Sequence, residues 1–343
     1  MAQTDQNQLP KQVPLSLEEP SNDRLSACAG KTPSKMIYLL ALALPFVLGA
    51  SLHLSLVFST IAALPIAFIS LTRGRWFGIA AALSNTALVM ALSSRETGAI
   101  FLVSGVVVGL SIAECLRAKR SPEVTAAITV GLILVAVFGL LVGYSWQIGQ
   151  NPIKKLDAYV GELVRETVNQ VEQNAKRYGQ QKISNQDLEK LLIDPETTRK
   201  NIMAELPSTF LIGTLILVVS NLLLILRLNF GQIRQHLQLP RRAFRNWHAP
   251  EHMVWPTLLA AALMILEVPK LGVIGLNALK VLMSIYALQG LAIVTFFFDR
   301  WRIKGPIRAF GYVMSVLVLL PLLLSLGFFD LWIGFRKKFV IQE

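Results

Sequence analysis

Long apolar runs separated by short polar stretches dominate the chain from Met36 onward. A helix needs about 20 apolar residues to cross a bilayer, because each residue adds about 1.5 Å of length. By this measure nine segments predict spanning helices: 36 to 51, 53 to 72, 76 to 92, 97 to 116, 124 to 147, 208 to 228, 253 to 268, 271 to 298 and 307 to 329. The pattern therefore predicts an all-α fold, a polytopic transmembrane helical bundle of eight or nine spans with a small extramembrane helical insertion.

The first two of these segments are closely joined. The run from Met36 to Leu71 is too long for one crossing, and Gly49, Ser51 and His53 predict a turn near its middle. A tight hairpin of two spans and a broken, re-entrant helix both fit this pattern.

Residues 150–206 form a sizeable charged region between the apolar runs, with nine Lys or Arg and nine Asp or Glu. Apolar residues recur there at steps of three and four from Ile153 to Tyr178, which is typical of an amphipathic helix. A second short helix is expected after Ser184, and Asp194-Pro195 resembles the cap and first residue of a third. Together these helices predict a small cap over the bundle or, equally well, helices lying on the membrane surface.

The order of these segments predicts five regions. They are a disordered polar leader (1–35), an amino-terminal transmembrane bundle of about five spans (36–149), the charged helical segment (150–206), a carboxy-terminal transmembrane bundle of about four spans (207–330) and a basic tail (331–343). The leader is polar and aperiodic, which is typical of disorder and not of a signal peptide.

Composition strengthens the membrane interpretation. Of the 343 residues 53% are hydrophobic and only 16% are charged, a mixture that excludes an ordinary soluble domain. The net charge of +12 would raise the question of nucleic acid in a soluble protein. Here the basic residues stand in loops between apolar runs, so the lipid bilayer is the predicted partner and nucleic acid is not.

Basic loops predict the orientation, because cytoplasmic loops of membrane proteins carry an excess of Lys and Arg. With nine spans, fourteen cations fall on one side: Arg73, Arg75, Arg117, Lys119, Arg120, Arg227, Arg234, Arg241, Arg242, Arg245, Arg300, Arg302, Lys304 and Arg308. We therefore expect a bacterial cytoplasmic (inner) membrane protein with a cytoplasmic amino terminus and with residues 150–206 on the outer face. The basic tail at Arg336 disagrees, since it would lie outside if residues 307–329 cross fully.

Polar side chains inside apolar spans are the best candidates for a functional site, because they are costly in hydrocarbon and usually face a bundle interior or a cavity. The candidates for solute binding are Asn85, Asn221, Asn277, Lys280, Ser284 and Gln289. Asn277, Lys280 and Ser284 share one helix face, which predicts a stripe able to bind an anionic or polar solute. The alternative is that Lys280 extends toward the membrane surface while Asn277 bonds a neighbouring helix.

One motif has metal-ligand spacing. His248, Glu251 and His252 match H-x-x-E-H, in which one helical turn presents two imidazoles to a metal. Pro250 interrupts the motif and no third ligand is evident, so we expect no metal, no cofactor and no enzyme activity. A metal-dependent membrane enzyme is the alternative.

Several short stretches resemble the YybS-like bacterial membrane proteins, grouped as domain of unknown function 2232. The resemblance covers roughly residues 36 to 338. Its carriers are Leu71-Thr-Arg73-Gly74-Arg75-Trp-Phe-Gly78, Asn151-Pro152, Phe244-Arg-Asn-Trp247 with Pro250 and Val254-Trp255, Leu276-Asn277, Tyr286-Ala-Leu-Gln289-Gly290-Leu291, and Phe328-Phe-Asp330 with Phe335-Arg336-Lys337. The amino-terminal half of that family is distantly similar to the substrate-binding membrane components of energy-coupling-factor vitamin transporters, which implies a cavity in the outer half of the bundle.

Two functions are compatible with these observations. The first is a solute-binding, transport-related protein of the substrate-capture type. Because the sequence has no ATP-binding motif, active transport would depend on partner subunits or an ion gradient. The second is a non-transporting scaffold or envelope-assembly protein whose charged helices dock a partner. Membrane partner subunits or a homo-oligomer are expected in either case.

Overall fold

The computed structural model describes residues 43–55, 58–149, 151–177, 194–227, 244–245, 247–266 and 268–340. The predicted leader, the first part of the segment 36 to 51 and the short helix expected after Ser184 lie outside these residues. The described part of the chain contains helices and turns without any strand, which confirms the all-α expectation there.

Twelve α-helices make up the described residues, and two short 3₁₀ turns precede two of them, Ser59–Ile61 before α2 and Glu251–Met253 before α8. The helices are α1 Pro45–Leu54, α2 Leu64–Arg73, α3 Arg75–Leu92, α4 Arg95–Arg117 with a π-helical turn at Leu102–Val107, α5 Pro122–Ile148, α6 Pro152–Arg177, α7 Pro195–Arg227, α8 Val254–Ile265, α9 Pro269–Arg300, α10 Gly305–Leu317, α11 Leu320–Ile333 and α12 Phe335–Val340.

Fewer helices are long enough to cross a membrane than the apolar runs predict. Within the described ranges α3, α4, α5, α7 and α9 are long and apolar enough, and the bent pair α10 and α11 makes a sixth if it counts as one span. The expected eight or nine spans are therefore not confirmed. The helices α1, α2 and α8 are apolar but short, because breaks within the runs divide them.

The break in the first apolar run lies later than predicted. Helix α1 continues through Gly49, Ser51 and His53 and ends at Leu54. Gly49 serves close packing and not a turn, since a Cβ there would lie 2.9 Å from Oδ1 of Asn85 on α3. Sequence position alone does not separate these two uses of glycine.

The amino-terminal half packs around small and branched apolar residues. Its largest core joins α2, α4, α5 and α7, and includes Ala67, Leu116, Ile133 and Leu222. A second core joins α1, α2, α3 and α4. Helix α7 therefore packs against the first half of the chain as well as against α9.

The charged helix α6 has the amphipathic form that its periodicity predicts. Asn151 caps it by accepting a hydrogen bond from the backbone nitrogen of Ile153 at 2.9 Å. Val160 and Val164 are buried, and the guanidinium of Arg199 on α7 forms an ion pair with Asp157 on α6. The first turns of α7 thus hold α6.

The carboxy-terminal half is organised on α9, which packs against α8, α10 and α11. Helices α9 and α11 approach most closely at two glycines. A Cβ at Gly290 would collide with the carbonyl oxygen of Leu323, and a Cβ at Gly327 would collide with that of Tyr286. Backbone-to-backbone contact at this crossing requires both glycines.

The span predicted over residues 307–329 consists of two helices with a sharp bend between them. The axes of α10 and α11 differ by 88°. The backbone nitrogens of Val318 and Leu319 both bond the carbonyl oxygen of Met314, which closes α10, and Pro321 stands in the first turn of α11. Because proline favours a helix start and lacks an N–H group, it divides this apolar run into two helices.

Tryptophans mark the ends of the helices. Five of the six, at positions 76, 146, 255, 301 and 332, lie within two residues of a helix terminus, and more than half of each side chain's surface is exposed. Indole rings favour the headgroup region of a bilayer, so their placement fits helices embedded in lipid.

We predict that Gly327→Ala lowers the thermal stability of the detergent-solubilised protein, because the added methyl group meets the Tyr286 carbonyl at a crossing without free space. Overpacking of this kind costs about 1–3 kcal/mol. The matched control is Gly139→Ala on α5, where a Cβ meets no atom within 4 Å and alanine is the better helix former. Thermal unfolding of both variants checks this; equal midpoints would contradict the packing described.

Candidate solute-binding site

Amide side chains inside the apolar segments pair with the backbone of neighbouring helices. Asn85 of α3 is fully buried; its Oδ1 accepts from the backbone nitrogen of Ala50 at 2.6 Å, and its Nδ2 donates to the carbonyl oxygen of Pro45 at 2.9 Å. Asn85 thereby fixes the start of α1 against α3.

Asn277 of α9 likewise bonds the backbone of a neighbouring helix, at the position where Pro207 stands inside α7. Pro207 lacks an N–H group, so the helix loses one internal hydrogen bond there. The side chain of Asn277 donates from Nδ2 to the carbonyl oxygen of Ala204 at 2.8 Å and accepts at Oδ1 from the backbone nitrogen of Ser208 at 3.0 Å. One amide therefore pairs a backbone acceptor and a backbone donor on either side of the proline.

The other members of the predicted stripe also have partners. Lys280 Nζ lies 2.9 Å from Oε2 of Glu205 on α7, and the hydroxyl of Ser284 donates to the carbonyl oxygen of Val281 in its own helix at 2.6 Å. Asn277 and Lys280 thus both face α7. The role of the stripe in solute binding stays a prediction.

Asn221 of α7 holds the 3₁₀ turn that follows α1. Its Nδ2 donates to the carbonyl oxygen of Thr60 at 2.7 Å and to that of Leu217 in its own helix at 2.8 Å. Its Oδ1 is buried and accepts no hydrogen bond from the described residues. A buried acceptor without a partner is uncommon and marks a place where a donor is expected.

A pocket opens beside this turn. Its volume is about 410 Å³, and its lining is mainly apolar: Thr60, Phe210, Gly213, Thr214, Ile216 and Leu217. Phe210 and Ile216 are about half exposed on an apolar helix, so the opening faces the lipid side of α7. The size falls within the range of small-molecule sites, which are commonly apolar with a few polar groups.

The pocket lies between two of the amide contacts along α7. Ser208, bonded by Asn277, stands two residues before the first lining residue, and Asn221 stands one turn beyond Leu217. Neither amide is among the lining residues, but Asn221 bonds Thr60, which is. Asn85 holds α1 against α3, and Gln289 lies in the carboxy-terminal half.

Gln289 belongs to a separate buried polar cluster. Its Nε2 donates to Oδ2 of Asp330 at 3.1 Å, and its Oε1 accepts from the backbone nitrogen of Ala249 at 3.1 Å. Asp330 also pairs with Arg336 at 2.7 Å, and the two side chains are only 2% and 8% exposed. The guanidinium of Arg336 continues to the carbonyl oxygen of Trp247 at 2.8 Å.

Sequence reasoning identified Gln289 and missed its two charged partners. Asp330 ends an apolar run and Arg336 begins a basic tail, which is an ordinary place for interfacial charges. The available signal was the acidic residue itself, because a carboxylate at the edge of an apolar run requires a partner when it is buried.

The H-x-x-E-H residues lie at the entry to α8. His248, Glu251 and His252 are all exposed, and the last two form part of a 3₁₀ turn. In the part of the chain that the structure describes, no group of three His, Cys, Asp or Glu side chains is placed to hold a metal ion.

We expect Asn277→Ala to reduce the free energy of unfolding by about 1–3 kcal/mol, because it leaves two backbone groups beside Pro207 without their partner. In a Pro207→Ala background the loss should shrink, since a regular helix can pair these groups internally. Unfolding of the single and double variants in mixed micelles measures the coupling. Additive effects of the two substitutions would show that the Asn277 amide and Pro207 are not coupled. The control is Ser284→Ala, which lies on the same helix face.

Breaking the buried ion pair should be costly. We predict that Asp330→Asn lowers the free energy of unfolding by about 3–5 kcal/mol, because Arg336 is left buried with its charge uncompensated. Glu205→Gln, which removes the half-exposed partner of Lys280, should change it by no more than about 1 kcal/mol. The same unfolding measurement applies. A small effect of Asp330→Asn would mean that the pair is hydrated in solution.

Comparison with known proteins supports the membrane assignment. A family model described as "Predicted membrane protein (DUF2232)" matches residues 34–331. Neither the comparison with curated proteins nor the comparison with solved structures gives a match. The match covers most of the chain, including both bundles and the charged helices between them. This chain belongs to the DUF2232 family of predicted membrane proteins.

Proposed function

We propose that this membrane protein captures a small, largely apolar solute in the pocket between α7 and the 3₁₀ turn at Thr60, as the substrate-binding component of a transport system. The observation that carries the proposal is the pocket itself, about 410 Å³ in volume, whose lining residue Thr60 is held by the side-chain amide of Asn221. It is an open depression with an apolar wall and few polar groups, and a lining of this composition is usual for ligand sites.

Interrupted helices around the pocket support this function. One wall belongs to the turn that separates α1 from α2, and the other lies on α7 just after Pro207, which stands inside that helix. Membrane transporters bind their substrates at such discontinuous helices, because irregular backbone there is tolerated only around protein or a cavity.

The lining specifies the chemistry of the solute. Four of the six lining residues carry no polar side-chain atom, while Thr60 and Thr214 each supply a hydroxyl. A compact apolar molecule with one hydroxyl or amine group fits this set. An anionic solute on the stripe at Lys280 would first have to displace Glu205.

Energy for transport would come from outside the chain. The sequence contains no phosphate-binding loop for ATP, so the proposed capture component would depend on partner subunits or an ion gradient. The assignment to a bacterial cytoplasmic membrane, with α6 on the outer face, is part of this proposal and rests on the distribution of basic loops.

A scaffold function is the second candidate, and one observation favours it. Ile153, Leu156, Tyr159 and Leu163 form an exposed apolar strip along α6, on a helix whose Val160 and Val164 already pack inward. A helix with an unoccupied apolar strip in the charged region is suited to docking a partner protein.

Filling the pocket tests the proposed function. Gly213→Leu should abolish the thermal stabilisation that a captured solute gives to the wild-type protein, because a side chain at Gly213 meets no atom within 4 Å and extends into open space. A ligand at 100 times its Kd stabilises the folded state by about 2.7 kcal/mol. The measurement is a thermal-shift screen of vitamins, nucleobases, small alcohols and small anions on the purified protein.

The control is Gly139→Leu, another open glycine position but on α5, away from the pocket. It should retain the wild-type response, and Lys280→Ala should retain it as well if the pocket alone binds the solute. If thermal stabilisation by the solute is lost in Lys280→Ala and kept in Gly213→Leu, the solute binds at the stripe and not in the pocket. If no compound stabilises the protein while a partner is recovered through α6, the scaffold function is the better description.

A further inference from the structure

The two helices at the end of the chain are each too short to cross a bilayer. Helix α10 has 13 residues and α11 has 14, which gives each a length of about 20 Å against about 30 Å of hydrocarbon. The 88° bend between them prevents the pair from acting as one straight span.

The bend itself is apolar and exposed. Residues 316–320 form an unbroken run of valine and leucine, and Leu317 and Val318 are 75% and 62% exposed. In the described part of the chain nothing covers this elbow, by which we mean residues 316–322. An exposed run of this length on a membrane protein is suited to lipid acyl chains.

Both ends of the pair carry interfacial residues. Trp301 precedes α10 and Trp332 lies near the end of α11, and both indoles are exposed. Basic residues accompany each of them: Arg300, Arg302 and Lys304 at the first, Arg336, Lys337 and Lys338 at the second. Tryptophan and basic side chains flank hydrophobic segments at the membrane surface, so both ends have the composition of an interface.

The contacts of the two ends place them near one another along α9. At the first end Arg308 pairs with Asp299 at 2.7 Å. At the second end Asp330 bonds Gln289. These two positions on α9 are ten residues apart in the sequence, which corresponds to about 15 Å along a helix. That separation is about half the thickness of the hydrocarbon core.

The tail is also joined to the segment before α8. Gly334 adopts a positive φ of 58°, which turns the chain so that the backbone nitrogen of Phe335 bonds Asp330 at 2.9 Å. Arg336 then donates to the carbonyl oxygens of Arg245 and Trp247. The guanidinium of Arg245 lies 5.6 Å from the ring centroid of Phe296, near the end of α9 from which α10 departs.

We infer that α10 and α11 form a re-entrant hairpin whose elbow inserts into the acyl chains of one membrane leaflet, and that the basic tail returns to the side from which α10 starts. The partner of the elbow is lipid, and the ion pair of Asp330 with Arg336 fastens the returning end. The basic tail then lies on the same side of the membrane as the basic loops. The disagreement between the tail at Arg336 and the other basic residues is thereby removed. The inference does not depend on the pocket or on solute capture.

Cysteine accessibility in the full-length chain tests the hairpin. In a background of Cys28→Ser and Cys115→Ala, single cysteines are placed in turn by Lys304→Cys before α10, Gln342→Cys in the tail and Lys154→Cys on α6. A membrane-impermeant maleimide is applied to intact cells and to inside-out vesicles. We expect Lys304→Cys and Gln342→Cys to react from the same side and Lys154→Cys from the opposite side.

Reaction of Lys304→Cys and Gln342→Cys from opposite sides would overturn the inference, because the pair would then cross the membrane. Denatured samples establish that each thiol is reactive. A position that stays unlabelled in the membrane is read instead by a green fluorescent protein and, separately, an alkaline phosphatase fused after residue 343. These report cytoplasmic and external locations, respectively, so either side gives a signal.

The lipid contact has its own readout. A fluorophore attached at Leu319→Cys in the elbow should be quenched by lipids with brominated acyl chains and protected from aqueous iodide. The same fluorophore at Lys304→Cys should show the reverse. If iodide quenches the fluorophore at Leu319→Cys as strongly as at Lys304→Cys, the elbow is not inserted into lipid. This conclusion would hold whichever side the tail occupies.

Discussion

The structure depends on the pairing of backbone polar groups inside apolar surroundings. Lipid supplies no hydrogen bonds, so every interruption of a membrane helix must be compensated by another part of the protein. Asn85, Asn221, Asn277 and Gln289 all do this, each with a carbonyl oxygen or an amide nitrogen of another segment. Their primary chemistry is therefore structural, and the chain can contain short and broken helices because they are present.

These interruptions create the features with functional potential. The turn between α1 and α2, held by Asn221, forms one wall of the pocket, and the region of α7 beyond Pro207 forms the other. In the second half, Gln289 joins the entry to α8 and the end of α11 through Asp330. The contact at Asn221 stands beside a space of ligand size, whereas the contact at Gln289 is part of a tightly packed cluster. Capture of a solute is accordingly proposed for the first half.

Much of the helical content could be predicted, because apolar runs and the three- and four-residue periodicity of α6 are local properties. The breaks were harder to predict. Pro321 divides one apolar run, yet Pro207 stands inside a continuous α7, where the amide of Asn277 bonds the backbone groups of Ala204 and Ser208 on either side of it. The charged pair at Asp330 and the pocket at Gly213 depend on residues far apart in sequence, so no local pattern indicates them. The polar candidates were nevertheless informative, since five of the six occur at contacts between segments.

The central claim is that the pocket holds a specific small molecule and not bulk lipid. It is tested most directly by placing a photo-reactive benzophenone side chain at Phe210 in the pocket, or at Phe138 on the exposed face of α5, and irradiating cells of the native host. Mass spectrometry then identifies the adducts on each purified protein. The account predicts a single class of small apolar molecule bearing a hydrogen-bond donor at Phe210, and a mixture of membrane lipids at Phe138. The same lipid mixture at both positions would contradict it.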